Sequence, residues 1–355
     1  MIENPIIRIL LIPFALLYGL GVSLRNLFYR IGTLKAVEFN LPIISIGNLS
    51  VGGSGKTPHT EFLIRQLREY INVATLSRGY KRKTKGFREV FTNHTAELVG
   101  DEPLQFKRKY PDVMVTVSES RTFGIPEILN RRGDTQLILL DDAFQHRSVK
   151  PGLNILLTEF ERPFTQDYLL PVGRLREWRS GYQRADIIIV SKCPDDLTEA
   201  DRELVRKEIN LFPNQQLFFS KYKYLEPYYI FNSRHRVPLA KDLHVLMVSA
   251  IANTDYLVSY LEPRLGSIKT LEYEDHHQFT GTDISNIKRH FDQLPDGRRM
   301  ILTTEKDAVR LYQHQEYLLQ QKLPIFALPV EVEFLFEEGE LFMQNVREYL
   351  LDFKH

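Results

Sequence analysis

Apolar residues first gather in one uncharged run, residues 9–24 (ILLIPFALLYGLGVSL), with Arg8 before it and Arg25, Arg30 and Lys35 after it. A spanning helix needs about 20 apolar residues. This run is shorter, is interrupted by Pro13, Gly19 and Gly21, and lacks the small-residue cleavage site of a secretory signal peptide. The pattern predicts a basic-flanked amphipathic helix lying in a membrane interface, with burial against the protein's own core as the alternative.

Beyond it the pattern changes to short apolar runs alternating with helical spacing. Residues 42–47 (PIISIG) lead into a glycine-rich loop, and residues 58–70 space Phe62, Leu63 and Leu67 along one helical face. Strand-like runs follow at 72–76, 112–117, 136–140, 154–158 and 186–191, with a helix at 122–131. A second series places strands near 244–250, 299–304 and 324–328 and helices at 255–261 and 305–312. Short continuous apolar strands alternating with helices predict α/β architecture: mostly parallel sheets with helices on both faces. The Tyr- and Phe-rich stretch 218–238 reads as a connecting β element, and 337–353 as an amphipathic helix. The expected division is an N-terminal helix (1–35), a first domain (36–217), a β linker (218–240), a second α/β domain (241–335) and a C-terminal helix (336–355).

Composition narrows the function classes. At ~150 residues per domain, a chain of 355 residues suggests about two domains. Lys plus Arg is 46 and Asp plus Glu 45, for a net charge of +1, which argues against a surface devoted to nucleic acid. Cys193 is the single cysteine, so an intrachain disulfide is impossible and a reducing compartment is expected.

Residues 50–57 read SVGGSGKT, a glycine-rich turn between strand and helix that closes in Gly-Lys-Thr. Glycines let backbone N–H groups curl around phosphate oxygens at a helix N-terminus. Ser50, Val51, Gly52, Gly53, Ser54, Gly55, Lys56 and Thr57 are the candidate nucleotide-binding residues. Lys56 would neutralise β- and γ-phosphates, and Thr57 would offer its hydroxyl to Mg²⁺. The run LILLDD ends a strand in Asp141 and Asp142, where a nucleotide site expects its magnesium carboxylate. Adjacent side chains at a strand end point apart, so the two Asp are expected to do different work.

Other clusters are ambiguous on local sequence. Gly100-Asp101-Glu102-Pro103 fits a helix cap as well as a site. Asp275-His276-His277 fits a surface loop or a proton-handling pair. Arg174, Arg176 and Glu177 suit phosphate or a surface ion pair. Thr303 or Thr304 would cap a helix carrying Glu305 and Lys306, the latter within reach of a phosphate. The basic stretch Lys81, Arg82, Lys83, Lys85 and Arg88 suits an anionic membrane, a substrate phosphate, or plain solvation.

Taken in order, GNLSVGGSGKTP (47–58), SRGY (77–80), GDEP (100–103), DDAFQH (141–146), LPVG (170–173) with Arg176-Glu177, Asp275-His276 and TEKDAV (304–309) resemble the tetraacyldisaccharide 4'-kinase (lipid A 4'-kinase) family. The opening MIENP and LLYGLG also resemble that family's membrane-contacting segment. The resemblance implies two α/β/α domains, the first P-loop NTPase-like, joined by a small β linker. It implies ATP and Mg²⁺ as cofactors and transfer of the γ-phosphate to the 4'-hydroxyl of tetraacyldisaccharide 1-phosphate, giving lipid IVA. It implies work at the cytoplasmic face of the bacterial inner membrane, with no nucleic acid and no obligate protein partner.

By motif, Lys56, Asp141 and Asp142 would be catalytic, Thr57, Asp141 and Asp142 would serve the metal, and Gln145 the triphosphate. Asp101 would be the base, supported by His276 rather than His277, with catalysis requiring domain closure. Arg78, Glu102, His146, Arg176 and Glu177 are the substrate-side candidates. Ala143 stands where the family has Gly, so the turn after the Asp pair is expected to differ slightly. A membrane-associated ATPase or switch and a soluble sugar kinase are the competing readings.

Overall fold

The computed structural model describes residues 5–251 and 254–353. The strands are β1 (Ile43–Asn48), β2 (Val73–Ser77), β3 (Arg88–Glu89), β4 (Met114–Val117), β5 (Leu137–Asp141), β6 (Leu153–Glu159), β7 (Ile187–Ser191), β8 (Gln216–Tyr224), β9 (Tyr228–Tyr229), β10 (Asn232–Arg236), β11 (Leu243–Ser249), β12 (Ser267–Glu272), β13 (Arg298–Thr304), β14 (Ile325–Leu328) and β15 (Val330–Phe334). The helices are α1 (Pro5–Arg30), α2 (Lys56–Leu67), α3 (Ala96–Val99), α4 (Asp101–Lys109), α5 (Arg121–Arg131), α6 (Glu199–Ile209), α7 (Asp255–Leu261), α8 (Gly281–Asp292), α9 (Glu305–Leu311), α10 (Gln315–Gln320) and α11 (Gly339–Asp352).

Among the described residues the strands form two sheets, one of nine in the order β15-β8-β7-β6-β1-β5-β2-β4-β3 and one of six in the order β10-β9-β14-β13-β11-β12. Pairing is parallel except at the edges, where β15 runs against β8, β3 against β4, and β9 against β14 and β10. The central strands β1, β2, β4, β5 and β7 are buried at every position, as strands covered on both faces must be. β1 lies between β5 and β6, so the chain leaves it to opposite sides of the sheet. Ligands of open α/β sheets sit beyond the carboxyl ends of the strands at such a switch point.

Two segments depart from the expected division. The aromatic stretch after residue 217 is not a free linker. β8 completes the first sheet, whereas β9 and β10 join the second. After β14 the chain crosses back, and β15, expected in the second unit, pairs with β8 from Val330↔Tyr224 to Phe334↔Ser220. α11 follows it onto the first core, where Phe342 stacks on Phe334 and meets Phe62 and Phe218 edge-on or tilted. Strand pairing and an aromatic cluster override sequence order here.

α1 has 26 residues, longer than the uncharged run that predicts it, because Pro13 is tolerated within it and its basic end stays helical. It is long and apolar enough to cross a membrane by length and composition, and only 17% of its apolar window is buried. Ile9, Leu10, Phe14, Leu17 and Leu20 are exposed, while Ala15 and Val22 are buried. The tether is Trp178, whose indole N–H reaches Ser23 Oγ (2.9 Å) and Gly19 O (3.1 Å), and Tyr18, whose hydroxyl donates to Arg176 O (2.8 Å). The expectation placed on Met1–Asn4 lies outside the described residues.

Candidate active site

The loop from Leu49 to Gly55 leaves β1 and starts α2 at Lys56. Gly55 takes φ +85°, and a Cβ there would lie 2.8 Å from the Tyr222 hydroxyl, so only glycine fits. The loop is held on several sides. Val51 N donates to Arg174 O (2.7 Å), and Arg176 N donates to Leu49 O (2.7 Å). Ser191 Oγ donates to Ser54 O (2.9 Å). His59, one turn into α2, joins Gly55 O (2.7 Å) to Ser220 Oγ (2.9 Å). Burial pushes this imidazole down to about 4, so it is neutral, donates from Nδ1 to the carbonyl and accepts at Nε2. Asn48 at the end of β1 and Ser54 in the loop are buried, yet the Asn48 amide and the Ser54 hydroxyl have no hydrogen-bond partner. Such groups are costly unless something binds them.

β5 sets its last residue, Asp141, beside Ile46 of β1, next to the loop. Asp141 is buried and accepts from Thr60 Oγ1 (3.2 Å). Burial, then the neighbouring Asp142 and Glu102, push its carboxyl up to about 7. Asp142 takes the left-handed conformation (φ +48°) and turns the other way, to Arg176 Nη1 at 2.9 and 3.1 Å and Lys56 Nζ at 3.7 Å. Burial works against its charge, but Lys56 and Arg176 hold it below the usual carboxylate range. The two Asp side chains therefore meet different partners, pointing apart as their adjacency implies. The left-handed residue of this turn is Asp142, so Ala143 needs no glycine-like backbone.

The second acidic motif is not a cap. Gly100 is the N-cap of α4, and Asp101 and Glu102 occupy its first turn. A Cβ on Gly100 would lie 3.0 Å from the Gly79 Cα, so the GDEP and SRGY motifs meet backbone to backbone. Across from them, the second sheet delivers His276 at φ +64°, a strained value for a non-glycine residue. Its Nδ1 lies 2.9 Å from Asp101 Oδ2. His277 turns away, bonding Asp283 (3.0 Å) and stacking on Tyr273. Lys306 Nζ reaches Glu102 Oε1 (2.9 Å) and His276 Nε2 (3.2 Å). Burial opposes the Glu102 charge, but Lys306 outweighs it and pulls the carboxyl down to about 2.

The tetraacyldisaccharide-1-P 4'-kinase family model matches residues 7–350. The chain belongs to this family. It is 46% identical to the tetraacyldisaccharide 4'-kinase of Phocaeicola vulgatus, over 96% of this chain and 94% of that one. It is 42% identical to that of Flavobacterium johnsoniae, over 93% and 94%. Its structure is similar to the crystal structure of LpxK from Aquifex aeolicus in complex with ATP, with a TM-score of 0.73 at 30% identity, covering 97% and 99% of the two chains.

The other motif residues of this family member fall into two groups. Gln145 Nε2 donates to Asn48 O (2.8 Å) and Glu177 Oε1 (3.0 Å), and Arg176 faces Asp142, so both flank the loop. Glu177, expected on the substrate side, is fully buried. Its carboxylate is taken by Arg184 at 2.8 and 2.9 Å and by Gln145, so it braces rather than opens to a ligand. His146 is half-buried, and burial with Arg121, Arg78 and Arg25 pushes it down to about 4. Arg78 is exposed. In the basic stretch, Arg82 pairs with Glu119 and Lys83 with Glu97, both at 2.7 Å, while Lys81 donates to Asp275 O (3.2 Å) across the units.

Sequence reasoning missed three supporting residues. Fully buried Arg310 holds Asp307, Ala250 O (3.2 Å) and His277 O (2.9 Å), with its Nε 3.6 Å from Asp101 Oδ2. Fully buried Arg121 donates to Ser118 O (2.6 Å) and Asp141 O (3.4 Å). Lys109 joins Glu61 (2.6 Å) to Glu305 (2.9 Å). For Arg310 the signal was available, because it stands three residues after Asp307 on the same helix face.

Proposed function

We propose that this chain is an ATP-dependent kinase that phosphorylates the 4'-hydroxyl of tetraacyldisaccharide 1-phosphate, giving lipid IVA. The observation that carries this reading is the Asp101–His276 pair. It joins the two units at the same strand-end face that carries the phosphate loop and the Asp pair.

A sugar hydroxyl is a poor nucleophile near neutral pH, and a positioned base helps it. Asp101 takes the hydroxyl proton, oriented by His276. Lys56 neutralises phosphate charge, and the backbone N–H groups of residues 50–57, with Asn48 and Ser54 beside them, supply hydrogen bonds. Arg176 holds Asp142 in place. Gln145 and His146 line the nucleotide and substrate sides, with Arg78 at the rim and Glu102 anchoring Lys306.

The donors at the end of β5 fit Mg²⁺. They are the Asp141 and Asp142 carboxylates, with the Thr57 hydroxyl from the start of α2, all hard oxygens, and burial makes the Asp141 charge costly without a cation. Among the described residues no group of three or more His, Cys, Asp or Glu forms a metal cage. That suits an ion which keeps waters and substrate phosphates in its shell. When bound, Mg²⁺ would neutralise charge on the β- and γ-phosphate oxygens. Placing Asp101 and His276 on different units makes the site complete only when they close, which excludes water.

The exposed apolar face of α1, with Arg25 and Arg30 at its end, supports contact with the inner membrane from the cytoplasmic side. The test is direct. Purified protein receives labelled ATP, Mg²⁺ and disaccharide 1-phosphate lipid in detergent micelles, with free sugars in parallel. Label on lipid supports the proposal. Label on free sugar alone, or ATP hydrolysis indifferent to lipid, overturns it.

A further inference from the structure

The Asp101–His276 pair has a third member. Lys306 lies at the start of α9, beside the second unit's sheet, and its ammonium is 3.2 Å from His276 Nε2 and 2.9 Å from Glu102 Oε1. An ammonium has three donors and no acceptor. An imidazole nitrogen at hydrogen-bond distance from it must therefore be the bare, accepting one. That leaves the ring proton on Nδ1, where it donates to Asp101 Oδ2 at 2.9 Å. We propose that Lys306 is the positioning residue that fixes His276 as the neutral Nδ1–H tautomer, aiming its one proton at the Asp101 carboxylate.

The surroundings agree. Burial works against the Lys306 ammonium, but Glu102, and behind it Asp101 and Asp275, hold it above its ordinary value, so it stays a cation. The other acidic group facing the ring, Asp275, stands 3.9 Å from Nε2, too far to hydrogen-bond. Tyr80 meets the ring edge-on, Lys81 donates to the Asp275 carbonyl and lies over the Tyr80 ring, and Arg310 faces Asp101 rather than His276. The left-handed backbone at His276 keeps both nitrogens in these directions. A protonated ring would point Nε2–H at an ammonium. With the opposite tautomer, two bare acceptors, Nδ1 and Asp101 Oδ2, would face each other. The consequence is that the Asp101 carboxylate receives its hydrogen bond from a neutral donor, which orients it toward the hydroxyl proton it is to take.

This inference rests on the base role given to Asp101 above, and its test separates the two. Full-length protein in detergent, labelled with ¹⁵N-histidine, gives imidazole nitrogen signals. His276 is assigned by its loss in His276→Gln. At pH 8 the unmodified protein is expected to show a pyrrole-type Nδ1 and a pyridine-type Nε2 at His276. Lys306→Met is expected to lose that fixed pattern, with kcat down on the order of 10–100-fold and KM for ATP unchanged. Lys306→Arg is expected to restore the pattern and most of kcat. A proton on Nε2 in the unmodified protein overturns the proposal, and so does a Lys306→Met protein that keeps the Nδ1–H pattern. If Lys306→Met does not fold, the unmodified spectrum and Lys306→Arg still decide it. Failure of the unmodified protein to phosphorylate the lipid would overturn the kinase reading, while the nitrogen spectrum would still judge the tautomer.

Discussion

Replacing Lys109 with Met probes the charge cluster that ties three helices together. Lys109 on α4 lies between Glu61 on α2 and Glu305 on α9, at 2.6 and 2.9 Å, and both carboxylates are nearly buried. Gln105 Nε2 also donates to Glu61 (2.8 Å) and the Tyr228 hydroxyl to Glu305 (3.3 Å). These helices begin at Lys56, Asp101 and Glu305, so the cluster braces the glycine-rich loop, Asp101 and Lys306 at once. Burial lowers the Lys109 ammonium, but the two carboxylates overcome it and hold it above its ordinary value. Burial first, and Glu305 with it, push Glu61 up to about 7 against the pull of Lys109.

Met keeps the apolar stem and removes the charge. Breaking a buried pair costs about 3–5 kcal/mol when the partner is left ionised. Here the cost depends on pH. Glu61 has a folded value above its unfolded one, so the stability of its protonated form is present at low pH and lost as pH rises through about 7. At pH 6 Glu61 holds a proton, so the variant leaves no facing pair of buried charges at this position, which limits the loss to about 1 kcal/mol. At pH 8.5 the variant must either ionise two facing carboxylates or hold a proton against the solvent, at about 1.4 kcal/mol per pH unit. The expected loss there is about 3 kcal/mol. Thermal unfolding of both proteins at the two pH values reads it, at roughly 2 °C per kcal/mol for a chain of this size. The Tm gap should widen from about 2 to about 6 °C as pH rises. An equal gap at both pH values, or a larger one at pH 6, would refute the reasoning.

Four further outcomes are expected. Asp101→Asn should lose on the order of 10²–10⁴ in kcat with little change in lipid affinity, read by steady-state kinetics; equal losses in both would count against a base role. His276→Ala should cripple turnover while His277→Ala, whose ring bonds Asp283 and not Asp101, should cost only stability, on the order of 1 kcal/mol. Gly55→Ala, forced into a left-handed backbone against Tyr222, should abolish ATP binding in a calorimetric titration, and near-normal affinity would show that the loop is more compliant than drawn. Removing residues 1–24 should move the protein from the membrane fraction to the soluble fraction in detergent-free fractionation; unchanged partitioning would place membrane contact elsewhere.

Much of this protein was legible as sequence. The alternation of short apolar runs and helices requires parallel sheets covered on both faces, because continuous apolar strands cannot face water. SVGGSGKT between a strand and a helix predicts a tight glycine turn there, and Gly55 takes φ +85° in it. Adjacent Asp residues at a strand end point apart whatever surrounds them, and Asp141 and Asp142 do so.

Tertiary structure decided the rest. Sequence order put residues 330–335 in the second unit, but strand pairing with β8 and the Phe334–Phe342 stack returned them to the first. Local chemistry does not distinguish His276 from His277, and the family resemblance chose His276 because it follows the motif's Asp; in the structure it is His276, at a left-handed turn, that meets Asp101, 175 residues away in the chain. The sequence placed Lys306 after a helix cap, and only the fold brought Glu102 and His276 around it. Periodicity and backbone sterics act between near neighbours and can be read from the chain. A partner for a buried charge is chosen by whatever the fold brings within about 3 Å, and only the folded chain sets that distance.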